Sequence, residues 1–86
     1  MDLADIMILQ AGEIALTQTD SGQGISLSAS TEIFGLVALT SDLCDKFSLG
    51  QIVIFNPENC LQFTYGSSSY YLIKENEIRA IEKPVI

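Results

Sequence analysis

Apolar residues in this chain come in short bursts, separated by polar breaks that glycine or proline marks, and no burst sustains a long helical period. Residues 3–9 (LADIMIL) have an acidic start, and their run Ile6-Met7-Ile8-Leu9 predicts a strand buried on both faces. Residues 13–16 extend it past a bend at Ala11-Gly12. Residues 34–40 (FGLVALT) predict a further strand. Gly50-Gln51 turns into Ile52–Phe55, which Asn56-Pro57 ends because proline cannot donate to a ladder. Leu61–Tyr65 alternates Leu61, Phe63 and Tyr65 with Gln62 and Thr64, the mark of a half-buried strand. The polar turn Gly66-Ser67-Ser68-Ser69 predicts a hairpin whose returning strand is residues 70–73. Glu75-Asn76-Glu77 reads as a short turn before a last strand at 78–81, and Pro84 closes the pattern. Six or so short, closely spaced strands predict one all-β domain over residues 1–86, a small barrel.

One stretch breaks the rhythm. Residues 17–31 are almost wholly Ser, Thr, Gly, Gln and Asp, yet Ile25 and Leu27 sit in their middle. An apolar side chain left in water forgoes about 1.5–3 kcal/mol relative to burial. On loop composition alone, two readings are equal: a short core strand between glycine turns, or a loop whose apolar residues serve a partner. In an extended segment Ile25 and Leu27 share one face and Ser26 takes the other.

At 86 residues the chain has little volume for a core, yet 48% of it is apolar and its mean hydropathy is +0.33. Such a surplus is expected to be buried against copies of the chain or another partner. No apolar run approaches the ~20 residues of a membrane span, and no basic segment precedes a leader-like one. The expectation is a cytoplasmic protein without a membrane anchor.

Charge removes several functions. The net charge is −7, with only Lys46, Lys74, Arg79 and Lys83 positive, so no basic stripe can neutralise phosphates and nucleic-acid binding is not expected. The chain has no histidine, which removes His-based acid–base catalysis and most zinc sites. Cys44 and Cys60 lie in neither a CxxC nor a ligand-spaced cluster, and read as inert buried thiols ahead of a disulfide or a nucleophile. Glu75 and Glu77 read as a solvated turn rather than an acid–base couple. Tyr65, Tyr70 and Tyr71 read as sheet packing, because no basic field accompanies them. Ser67, Ser68 and Ser69 lack a base partner. No catalytic residue, metal ligand or cofactor is expected, and no enzymatic activity.

The order of several segments resembles one family. SLGQIVIFN (48–56) is similar to the Val-Gly-Asp-Ile-Val-Ile-Phe-Asn pattern of GroES-like co-chaperonins, the 10 kDa chaperonin family. YYLIKENEIRAIE (70–82) resembles that family's Tyr-Leu-Ile-x-x-Glu-Ser-Asp-Ile-Leu-Ala-Ile, with Glu75, Ile78, Ala80 and Ile81 coinciding, Glu77 for Asp and Arg79 for Leu. LADIMIL resembles Leu-x-Asp-Arg-Val-Ile-Val, with Leu3 and Asp5 matched and Ile6 in place of Arg. Phe34-Gly35-Leu36-Val37 stands where the family resumes with Gly-x-Val. Gly24-Ile25-Ser26-Leu27 falls where its mobile loop carries Gly-Ile-Val-Leu. Gln51 replaces the family's Asp.

The resemblance implies a GroES-like, partly open β-barrel with a mobile loop at 17–31 and a homo-oligomeric ring, a heptamer by family analogy. It implies that Gly24, Ile25, Ser26 and Leu27 dock in a hydrophobic groove of a large GroEL-like chaperonin, whose ATP cycle controls the docking, and that the ring encloses client proteins. Leu3, Asp5 and Met7 on the first strand and Ile78, Ala80 and Ile81 on the last are the expected ring interface, pairing between neighbours. Where typical members insert a long roof hairpin, this chain has only residues 40–49, a brevity that resembles virus-encoded members working in a host cytoplasm. Those ten residues predict a crossover without a hairpin, with one helical turn tucking Leu43 and Phe47 against the barrel. The alternative of another class is a small all-β structural or assembly module, such as a virion component, that docks through its apolar loop.

Overall fold

The structure, a computed structural model, describes residues 2–28 and 31–83. The chain is all-β, with six strands in one antiparallel sheet: β1 (Glu13–Thr19), β2 (Ile33–Thr40), β3 (Ile52–Phe55), β4 (Leu61–Tyr65), β5 (Ser68–Lys74) and β6 (Ala80–Ile81). Their spatial order is β4-β5-β1-β2-β3-β6, so β4 and β6 are the two edges. Pro84 lies outside the described residues.

Most of the expected strands form where alternation and turn residues place them. Asn56 ends β3 as expected. Its side chain accepts from the Glu58 amide at 3.0 Å and opens a 3-10 turn over Pro57–Asn59. The β4–β5 hairpin closes more tightly than expected: Tyr65 pairs with Ser68, leaving a two-residue turn of Gly66 and Ser67. Gly66 has φ +63°, the left-handed conformation such turns require.

Both faces of the sheet are buried. Ile14 and Leu16 of β1 join Val37, Phe47, Val53, Phe55 and Ile73 in one cluster. Ala15, between them, joins Leu3, Leu9 and Leu39 in the other, against which Met7, Phe63, Tyr65, Tyr70 and Leu72 pack. A register shift in the β1–β2 ladder lets Val37 and Leu39 serve opposite clusters: Ala15 pairs with Leu39 but Leu16 with Val37, leaving Ala38 as an extra residue. Phe55 is fully buried, with its ring edge-on to Tyr71 at 5.3 Å, and Phe63 stacks on Tyr70 at the same distance. Phe55 also fixes Gly35, where a β-carbon would lie 2.6 Å from Phe55 Cε1 and 3.2 Å from Leu16 Cδ1.

Four expectations need correction. Residues 3–9 form no strand. Leu3–Asp5 is a 3-10 turn, closed by the Asp2 amide donating to Asp5 Oδ2 and the Asp5 amide donating to the Asp2 carbonyl, both at 2.9 Å. Local capping by two aspartates three apart overrides the apolar run, and Leu3 and Leu9 reach the second cluster from an irregular segment.

β1 starts at Glu13 but runs to Thr19, so the first three residues of the polar stretch belong to the sheet. Threonine is a good strand former, and Thr17, Gln18 and Thr19 pair with Leu36, Gly35 and Phe34.

Residues 40–49 contain no helical turn. The segment connects adjacent antiparallel strands and is therefore a wide hairpin loop rather than a crossover. Phe47 is buried as expected, but Leu43 is 81% exposed, because the chain turns at Ser41, whose carbonyl accepts from the Cys44 amide at 3.1 Å.

The last strand is short. Ile78 donates its amide to Glu75 in a 3-10 turn over Glu75–Glu77, and only Ala80 and Ile81 pair with β3.

Candidate docking loop

Between β1 and β2 the chain leaves the sheet. Residues 21–28 form no strand, which removes the core-strand reading of Ile25 and Leu27. Neither residue belongs to either cluster: Ile25 is 46% exposed and Leu27 half-buried. Gly24, just before them, takes a left-handed φ of +78°, and Ser26 is exposed. The four residues expected to dock thus lie together on one irregular segment outside the core.

The loop is fastened at both ends to the C-terminal segment. At its start, the Gly22 amide donates to Glu82 Oε1 at 2.8 Å, and the Ser21 hydroxyl donates to Glu82 Oε2. Ser21 Oγ in turn accepts from the Gln23 amide at 3.1 Å and the Ile25 amide at 3.0 Å. One hydroxyl therefore organises a turn while a carboxylate holds it. The Gln23 side-chain amide donates to the Lys83 carbonyl. Glu82 is itself fixed by its amide, which donates to Ile52 of β3 at 2.8 Å. At the other end Arg79 Nε lies 3.1 Å from Glu32 Oε2, just before β2. Beneath the fastened leg is a cavity of about 350 Å³ whose walls include Leu49, Ile52, Glu82 and Lys83.

These anchors escape sequence reasoning because Ser21 and Glu82 are separated by 61 positions. No local pattern marks either one. The nearest signal was Arg79, a cation standing where the resembled pattern has leucine.

The residues expected at a ring interface occupy different settings. Leu3 is buried in its own domain, Asp5 is exposed and closes the N-terminal turn, and Met7 is half-buried. Ile78 is half-buried against the first cluster, while Ala80 and Ile81 are exposed on edge strand β6.

The two thiols sit apart from the loop. Cys60 Sγ donates to the Asn56 carbonyl at 3.5 Å, and burial, aided by the Glu77 charge, pushes its pKa up to about 11. Burial likewise raises Cys44, with Glu75 adding to the effect. Both are therefore held as thiols at neutral pH, the form that does not attack electrophiles. Among the described residues, no helix is long and apolar enough to cross a membrane. No family model matches the chain, and no curated protein sequence matches it.

Proposed function

We propose that this chain is a co-chaperonin of the GroES-like kind: a ring-forming cap that docks on a large ATP-dependent chaperonin and encloses client proteins for folding. The observation that carries the reading is the loop, whose Ile25 and Leu27 stay outside both core clusters while its two ends are tied to Glu82 and Arg79, the residues flanking β6. An apolar pair on a tethered loop suits a hydrophobic groove. Each seated side chain contributes about 1.5–3 kcal/mol, against about 1–2 kcal/mol for every loop residue that docking must order. A single loop is then weak and reversible. A ring of loops gains about 10²–10⁴ in avidity through effective concentration.

In this reading the partner binds and hydrolyses ATP, and the chain needs neither cofactor nor catalytic group. The two outer strands support assembly: among the described residues Leu61 is exposed on β4 and Ile81 on β6, so copies can meet head to tail. The GroES-like barrel, the heptamer and action in a cytoplasm, a host's if the chain is virus-encoded, belong to the same proposal. The segment between β2 and β3 has no strand of its own and leaves little material for a roof.

The test is co-purification with a large chaperonin, with and without nucleotide. Nucleotide-dependent capture supports the reading. An intact oligomer that is captured in no nucleotide state overturns it and favours the small assembly module.

A further inference from the structure

We propose that Glu82 is a positioning residue for the loop, and that through it the edge strand β6 sets how freely Ile25 and Leu27 can swing. The Glu82 carboxylate receives both the Gly22 amide and the Ser21 hydroxyl. The same hydroxyl holds the amides of Gln23 and Ile25, so the chain of contacts runs from the end of β6 to the first of the two apolar docking residues. The contact is also sterically defined: a β-carbon on Gly22 would lie 3.0 Å from Glu82 Oε1 and 3.3 Å from Ile52 Cδ1. A side chain at position 22 would press on both, so that the carboxylate or the Ile52 methyl would have to give by a few tenths of an ångström.

Among the described residues, Glu82 follows a strand of two residues that pairs with β3 alone, and its amide donates to the Ile52 carbonyl. A second copy of this chain that pairs along the outer side of β6 steadies Ala80 and the exposed Ile81 and with them the Glu82 carboxylate. The first leg of the loop is then ordered before any partner arrives, and the ordering cost of docking falls on residues beyond Gly24. Assembly and loop order are coupled through one side chain. The consequence for docking rests on the function proposed above, whereas the positioning itself does not.

Amide hydrogen exchange on the protein alone tests it. In Glu82→Ala the amides of Gly22, Gln23 and Ile25 exchange faster by about tenfold, while Val37 and Val53 in the sheet keep their protection. Ser21→Ala gives the same acceleration at Gln23 and Ile25, and Ser21→Thr, which keeps the hydroxyl, restores protection. Unchanged exchange at residues 22–25 in Glu82→Ala overturns the inference. So does an equal loss of protection at Val37 and Val53, which would make Glu82 a residue of general stability. Because no chaperonin is present, failure here leaves the docking proposal standing, and failure of capture leaves the positioning result standing.

Discussion

The Gly22 amide and the Glu82 carboxylate meet at 2.8 Å across 60 positions of chain, fastening the base of an apolar loop to the last strand of the sheet. The contact turns a stretch of serines and glycines into a loop with a fixed root. It also divides the molecule physically, into two buried clusters and a polar loop whose Ile25 and Leu27 belong to neither.

The core is expected to fail at Phe55. The side chain is fully buried and braces both Tyr71 and Gly35. Phe55→Ala should cost about 3–5 kcal/mol, a large part of the stability of so small a domain. Chemical denaturation should show the midpoint falling sharply or the folded baseline disappearing. A midpoint close to that of the parent would contradict the packing described.

Gly35→Ala is a gentler probe of the same contact. The added methyl meets the Phe55 ring and Leu16, so about 1–3 kcal/mol should be lost to overpacking. In a domain of this size each kcal/mol lowers Tm by about 4–8 °C. Coupling should appear in Gly35→Ala combined with Phe55→Leu, whose loss should be smaller than the sum of the two single losses. Strict additivity would place Gly35 away from Phe55.

Much of this core was legible in the sequence. Ile52–Phe55 and Leu61–Tyr65 are bounded by turn residues and carry β-branched or aromatic runs, so the strands form where the pattern places them. Leu61, which the alternation puts inward, is nevertheless exposed at the start of its edge strand. The N-terminal run is apolar enough for a strand and forms none, because Asp2 and Asp5 make a local turn that periodicity does not register. The end of β1 was hidden by its polar side chains, since strand pairing by Thr17 and Thr19 is a backbone matter. Leu43 points outward, against its spacing with Phe47, because spacing alone does not reveal a turn at Ser41. The loop's apolar pair stood out at once, but its anchors did not: Ser21 and Glu82 become neighbours only when β6 pairs with β3.

Cys60 should report on pH. Its pKa in the folded chain, about 11, lies above the ordinary 9.0. The folded state then binds the proton more tightly, so this contribution to stability is complete below about pH 9 and is lost as pH rises towards 11. Alkylation of the native protein at pH 8 should be slow, and should accelerate in denaturant at the same pH. Rapid native alkylation at pH 8 would show Cys60 to be an ordinary accessible thiol.

Assembly should be visible by native mass spectrometry. Exposed Leu61 and Ile81 on the two outer strands predict a closed oligomer, seven-membered if the proposed function holds. Ile81→Lys, at the exposed edge, should shift it towards monomer with little change in the spectrum of the fold. A stable, well-folded monomer at micromolar concentration would contradict ring formation.

The most direct test compares the parent with a variant carrying Ile25→Ser and Leu27→Ser in nucleotide-dependent capture by a large chaperonin. Neither residue belongs to the core clusters, so the variant should melt within a few degrees of the parent and keep its oligomeric state. The parent should be retained when the chaperonin is loaded with nucleotide and released when it is not, and the variant should not be retained in either state. Equal retention of parent and variant, or retention of neither, would contradict the claim that this loop is a docking element for a chaperonin.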